Sequence, residues 1–155
     1  VDTDYVFREC CLDKLVKGAV RKFAAQFIRK GLRLEYTPIE QSVVTDEKWL
    51  TFVVEQLLSN ALKYTPQGAV SIYWEGGFLC IRDTGIGIAA EDLPRIFDRG
   101  YTGGNGRSDK KATGLGLYLC RRICANLGHG ISAQSALGQG TLIRLDLRPR
   151  ENVYE

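Results

Sequence analysis

The chain has no apolar run approaching the roughly 18 residues of a membrane span. It also lacks an internal repeat, a low-complexity tract and a signal peptide. Membrane-spanning, solenoid and fibrous classes are thereby set aside, and the stretch reads as soluble. Histidine is nearly absent, with His129 alone, and none of the five cysteines (Cys10, Cys11, Cys80, Cys120, Cys124) forms a C-x-x-C pair. That pattern indicates neither a disulfide framework nor a zinc site and fits a reducing cytoplasm. Cys120 and Cys124 stand one helical turn apart, but His129 lies past the end of that helix, so they read as small buried hydrophobes. A net charge of +3 is too small to argue for nucleic acid, although clustered cations would favour an anionic ligand.

What is present is an ordinary globular composition, 45% hydrophobic and 25% charged over 155 residues, enough for one domain with a real core. The start at Val1 without methionine suggests a fragment of a longer protein. The domain is expected to occupy residues 1–150, with 151–155 a polar tail.

Residues 4–9 alternate as a short strand. Leu12, Leu15, Val16, Ala19, Val20, Phe23, Phe27 and Ile28 then recur at helical spacing up to Gly31, with a basic outer face. Residues 32–36 and 42–45 are short strand candidates flanking Pro38 and are expected to pair with each other. Asp46 caps a second helix that ends near Tyr64, before Pro66 and Gly68. Residues 69–74 and 78–82 form a hairpin across Glu75-Gly76-Gly77, residues 90–96 a short helix, and residues 130–135 and 141–147 a closing antiparallel pair.

Four pieces of this chain carry chemistry. On the second helix Gln56, Asn60 and Lys63 form one polar stripe, where an amide oxygen suits Mg²⁺ and an ammonium suits phosphate. The run 79–88, LCIRDTGIGI, is a buried strand ending at Asp83 and then a Gly85/Gly87 turn. That carboxylate can accept from an exocyclic amine such as that of adenine. Residues 97–113 form a long glycine-rich segment with Arg99, Arg107, Lys110 and Lys111, the composition of a lid over polyphosphate or of a solvated loop. Thr113-Gly114-Leu115-Gly116-Leu117 opens a helix whose free amides make an anion site. Each piece alone also has a bland explanation as a loop or a solvated helix face.

Taken in order, the pieces resemble the GHKL ATP-binding superfamily, and within it the sensor histidine kinases. LLSNALKYT (57–65) resembles the N box, DTGIGI (83–88) the first glycine box, RIFDRGYTG (95–103) the F box, TGLGLYLCRRI (113–123) the second glycine box and GQGT (138–141) the last glycine motif. The resemblance implies an α/β two-layer sandwich: a mixed, mostly antiparallel sheet of about five strands with three main helices on one face. It implies ATP and Mg²⁺ as ligands, with Asn60 on the metal, Lys63 on phosphate and Tyr64 bordering the nucleotide. Asp83 would take the adenine amine, backed by Thr141, and Gly85, Gly87 and Ile88 would shape its pocket. Arg99, Lys111, Thr113, Gly114, Leu115, Gly116 and Leu117 would wrap the triphosphate.

The first amide of the N box is Gln56 here, and Glu55 is not where the ATPase members place a water-activating glutamate. The implied reaction is transfer of the γ-phosphoryl group to a histidine on a separate dimerisation domain. A nucleotide-gated interaction module and a GHKL-type ATPase are the alternatives. His129 lies beside the second glycine box and reads as a helix-end cap, so the fragment should not phosphorylate itself. Finer details resemble the small intramembrane-sensing kinases of Gram-positive bacteria that respond to peptide antibiotics. They imply a cytoplasmic domain of a membrane protein that works with a response regulator and a peptide-antibiotic transporter. Without its dimerisation domain the fragment should be monomeric.

Overall fold

A computed structural model of the chain describes residues 4–101 and 116–149. The elements run β1 (Arg8–Cys11), α1 (Leu12–Lys30), β2 (Arg33–Tyr36), β3 (Ser42–Thr45), α2 (Glu47–Tyr64), β4 (Ala69–Glu75), β5 (Phe78–Asp83), a single 3₁₀ turn (Leu93–Arg95), α3 (Gly116–Leu127), β6 (Gly130–Ser135) and β7 (Thr141–Asp146). Five strands form one sheet in the order β2-β4-β5-β7-β6, with β2 parallel to β4 and the other pairs antiparallel. The helices pack side by side against one of its faces, and their buried stripes close the core on that face. This is the mixed two-layer sandwich expected. Among the described residues no helix is long and apolar enough to cross a membrane.

Alternation along each strand sorts residues between the two faces. On the helix-covered face the register aligns three rows across β4, β5, β7 and β6. The first is Trp74, Leu79, Leu145, Ile131 and the second Ile72, Ile81, Ile143, Ala133. The third is Val70, Asp83, Thr141, Ser135, where the core turns polar at the end of the sheet. On the outer face the Arg144 guanidinium lies 3.9 Å from the Phe78 ring centroid, and Arg82 Nε donates to the Tyr73 hydroxyl at 3.3 Å.

The strand expected over 4–9 is shifted, since β1 begins only at Arg8, and the short helix expected over 90–96 is reduced to the Leu93–Arg95 turn. Two further sequence expectations fail. Strands β2 and β3 do not pair with each other. β2 extends the main sheet beside β4, while β3 pairs with β1 in a separate two-stranded sheet. The linker between them is pinned elsewhere: Thr37 N–H continues the β2 ladder to the Ile72 carbonyl, and Ile39 N–H donates to Asp13 on α1 at 2.9 Å. Asp13 also accepts from the Tyr36 hydroxyl and pairs with Lys17. The Ile39 amide, the Tyr36 hydroxyl and Lys17 hold its carboxyl down at about 2. Secondly, Ile28 is 77% exposed although it follows the apolar spacing. At 3.6 residues per turn it lies about 160° around the helix from Leu12, so Phe27 takes the inward place. α1 stops where Gly31 adopts φ 73° and its amide closes on the Ile28 carbonyl at 3.0 Å.

Asp46 joins the two sheets' helical layer to the start of the chain. Its Oδ1 accepts from Trp49 N–H at 3.0 Å, which caps α2, and its Oδ2 accepts from Val6 N–H at 2.7 Å. His129 does the same for α3. Its amide donates to the Cys124 carbonyl at 2.8 Å, and its buried Nε2 lies 2.9 Å from Thr45 Oγ1 on β3. Four of the cysteines are buried and Cys11 is exposed. Asp46→Ala is expected to lower unfolding free energy by about 2 kcal/mol, from one lost cap and one stranded amide. Asp46→Asn, which keeps one acceptor oxygen, should fall between the two in urea denaturation.

Candidate nucleotide site

The polar row at the end of the sheet is built around Asp83. It is the last residue of β5, and its side chain points into the helix-covered layer in register with Thr141. Asp83 Oδ1 accepts from Gly85 N–H at 2.8 Å and from Thr141 N–H at 3.2 Å. Among the described residues its Oδ2 receives no hydrogen bond. Burial raises the carboxyl above the usual carboxylate range, and the two amides offset only part of that. One oxygen is thus fixed by the backbone while the other has no donor among the described residues.

The glycines of this corner are demanded first by the protein's own backbone, not by a ligand's approach. A Cβ on Gly85 would stand 2.2 Å from the Tyr64 carbonyl oxygen, and one on Gly87 (φ 75°) would stand 2.0 Å from that of Ala136. The turn is consequently clamped between the end of α2 and the β6–β7 connection. Ile86 N–H donates to the Tyr64 carbonyl at 3.1 Å, and the Ile86 carbonyl accepts from Gly138 N–H at 2.8 Å. Ile88 N–H donates to Ser135 Oγ at 2.8 Å. Behind the turn, Thr65 Oγ1 is buried with no partner among the described residues. An orphaned hydroxyl beside Gly85 marks a corner that folding alone does not optimise.

Asn60, Lys63 and Tyr64 occupy the last turns of α2, which lead directly into this clamp. Asn60 and Tyr64 are half-buried, and the exposed Lys63 ammonium lies 5.4 Å from the Tyr64 ring centroid. Gln56, one turn before Asn60, lies beside α3: a Cβ on Gly116 would be 3.2 Å from its Oε1. Gly116 and Leu117 are the first two residues of α3. Arg99 is exposed, with its guanidinium 5.7 Å from the Tyr118 ring centroid. Lys111, Thr113, Gly114 and Leu115 lie outside the described residues, as does most of the glycine-rich segment.

Asp83, Gly85, Gly87, Ile88 and Thr141 are therefore brought together by named contacts, with Tyr64 at their border. Gln56 and Gly116 form a second junction, between α2 and α3. Sequence reasoning missed Ser135. Its signal was present: pairing Thr141 at the start of one strand with the end of the preceding strand sets Ser135 directly opposite.

The family model of histidine kinase-, DNA gyrase B- and HSP90-like ATPases matches residues 45–151. The sensor protein BceS of Bacillus subtilis is 34% identical over 148 residues, covering 93% of this chain and 44% of BceS. The sensor histidine kinase GraS of Staphylococcus epidermidis is 41% identical over 115 residues, covering 72% of this chain and 33% of GraS. The chain thus spans less than half the length of these curated relatives. In fold it is similar to full-length ShkA in complex with AMPPNP (TM-score 0.77, 22% identity, 94% of this chain and 31% of that one). It is similar also to the nucleotide-free catalytic domain of the histidine kinase ThkA (TM-score 0.73, 20% identity, 90% of this chain and 93% of that one).

A carboxyl raised by burial is held protonated more readily in the folded than in the unfolded chain. Its contribution to stability therefore falls as pH rises through the window above about 4. Asp83→Asn keeps an acceptor for Gly85 and Thr141 and carries no charge to desolvate. At pH 7 it should melt no lower than the wild type, with the difference closing as the pH drops below about 4. A midpoint several degrees lower at pH 7 would mean that the charge serves the fold.

Proposed function

The chain belongs to the family of histidine kinase-, DNA gyrase B- and HSP90-like ATPases, as a catalytic domain of the sensor histidine kinase type, and on that premise we propose how it works. It binds ATP with the base amine on Asp83, and it donates the γ-phosphoryl group to a histidine carried by a separate dimerisation domain. The observation that carries this reading is Asp83 Oδ2, a partly buried carboxylate oxygen left open while its twin is locked by two backbone amides. A ligand amine on that oxygen offsets the burial of its charge. Thr141 backs the carboxylate, Gly85, Gly87 and Ile88 give the pocket its floor, and Tyr64 its rim.

Lys63, beyond the rim on α2, meets phosphate, and Arg99 and the start of α3 at Gly116 and Leu117 follow along the chain towards the γ end. Lys111, Thr113, Gly114 and Leu115 complete that wrap in this reading. Among the described residues no three His, Cys, Asp or Glu side chains are grouped to hold a metal. The Asn60 amide oxygen, a hard neutral donor on α2, would be the chain's own ligand to a Mg²⁺ that phosphate oxygens and water would otherwise hold. Bound there, Mg²⁺ would neutralise charge on the phosphates. In the transfer the acceptor nitrogen bonds to the γ-phosphorus as the bond from that phosphorus to the β,γ-bridging oxygen breaks, and ADP leaves. The chain's share is positioning and screening of charge.

Water activation is not favoured as the purpose of the site. Glu55, the acid next to Gln56, is spent in an ion pair with Lys22 of α1 at 3.2 Å. The whole protein would be a membrane-bound sensor paired with a response regulator. By the resemblance of its motifs it would be of the intramembrane-sensing type that acts with a peptide-antibiotic transporter.

In calorimetric titration the chain is expected to bind ADP and a non-hydrolysable ATP analogue in the presence of Mg²⁺. Lys63→Ala should weaken the triphosphate by about tenfold while leaving adenosine unchanged. Supplied with a separate acceptor-bearing helical domain, it should transfer labelled phosphate to that domain's histidine. Steady ATP turnover by the chain alone would support the ATPase instead, and nucleotide binding without transfer an interaction module.

A further inference from the structure

Ser135 closes the polar row, and its three contacts permit one arrangement of hydrogens. Ile88 N–H donates to Ser135 Oγ at 2.8 Å, the Gly140 carbonyl lies 2.7 Å from the same oxygen, and Thr141 Oγ1 lies 2.9 Å from it. A serine hydroxyl has one hydrogen and two acceptor sites. The Gly140 carbonyl can only accept, so it takes the serine hydrogen. The Ile88 amide can only donate, so it fills one acceptor site. The contact with Thr141 is then a hydrogen bond only if Thr141 donates.

Thr141 has a single hydroxyl hydrogen, and this arrangement commits it to Ser135, across the hairpin and away from Asp83. On the Asp83 side Thr141 Oγ1 offers lone pairs alone. Asp83 Oδ2, being a carboxylate oxygen, also offers lone pairs alone. Thr65 Oγ1, the one orphaned buried hydroxyl among the described residues, is enclosed behind the Gly85 turn. The wall that Asp83 and Thr141 present is therefore acceptor-only.

We propose that Ser135 is a specificity-determining positioning residue for the nucleobase. By holding the Thr141 hydroxyl hydrogen it keeps donors off the Asp83–Thr141 wall, so that a 6-amino purine is accepted and a 6-oxo purine is refused. This rests on the reading that the polar row receives the base. A 6-amino group brings hydrogens to oxygens that have only lone pairs, whereas a 6-oxo group at the same place sets acceptor against acceptor, and its neighbouring N1–H reaches those oxygens only if the base shifts. Without the Ser135 hydroxyl, Thr141 is free to turn its hydrogen outward and donate to the oxo group.

Dissociation constants for ADP and inosine 5′-diphosphate, measured by calorimetry on the same chain, test this. The wild type should prefer ADP by about 100-fold. In Ser135→Ala the preference should shrink by about tenfold, and Ser135→Ala/Thr141→Val should restore it because no hydroxyl remains to turn. Ser135→Ala strands the Gly140 carbonyl and the Ile88 amide, so Thr141→Val alone, which leaves those bonds intact, supplies a second arm. It should not raise the preference for ADP. A rise would mean that Thr141 already donates to the base in the wild type, and would overturn the proposal. So would affinities for both nucleotides that fall together in Ser135→Ala with their ratio unchanged, the mark of a merely structural serine. A folded wild type that binds neither nucleotide would overturn the underlying reading along with the proposal, whereas the other outcomes leave that reading standing.

Discussion

The two backbone amides that converge on Asp83 Oδ1 are the constraint on which the site depends. One comes from Gly85, two residues on in the same turn, and the other from Thr141, on the neighbouring strand. Together they tie the direction of the turn to the register of β5 against β7, so the carboxylate cannot swing without breaking both. A slip of one residue in that pairing would send Asp83 to the outer face and bring Arg82 inward. The apolar rows beneath it, through Ile81 and Ile143 and then Leu79 and Leu145, keep that register by burial. The site is thus the last rung of the core, made polar where the helices no longer cover the sheet completely.

α2 links this rung to the rest of the molecule. Its buried stripe, including Leu50, Val53, Val54, Leu57 and Leu58, packs in the core, and its last carbonyl, that of Tyr64, meets the glycine turn. Its half-buried side carries Gln56 to the first residue of α3. One helix therefore touches the Asp83 corner at one end and the start of α3 along its flank. Such an element can hold the two halves of a nucleotide site at a fixed separation. α1 backs it through Lys22 to Glu55 and through Lys30 to the Leu62 carbonyl.

Much of this was legible in the sequence because local signals agreed with the global fold. Helix spacing, the Asp46 cap, the Gly31 stop and the two antiparallel hairpins all landed within a few residues of the observed bounds. Partner choice between distant strands was not legible. β2 finds β4 across the whole of α2, and β3 leaves the sheet because its linker is held by Asp13, neither of which a short window of sequence contains. Ile28 matched the apolar spacing and still faces outward, since spacing alone tolerates a residue far from the stripe's centre. Gly85 and Gly87 were found for their freedom near a ligand, yet their tightest neighbours are the Tyr64 and Ala136 carbonyls. The place of Ser135 opposite Thr141 was readable from the hairpin, but its contact with the Ile88 amide, 47 residues away, was not.

The most direct test of the central claim is a crystal structure of the chain with ADP and Mg²⁺ bound. The account places the exocyclic amine of the base within hydrogen-bond distance of Asp83 Oδ2, with Gly85 and Thr141 still donating to Oδ1. A nucleotide seated elsewhere, or a base whose amine turns away from Asp83, would contradict it.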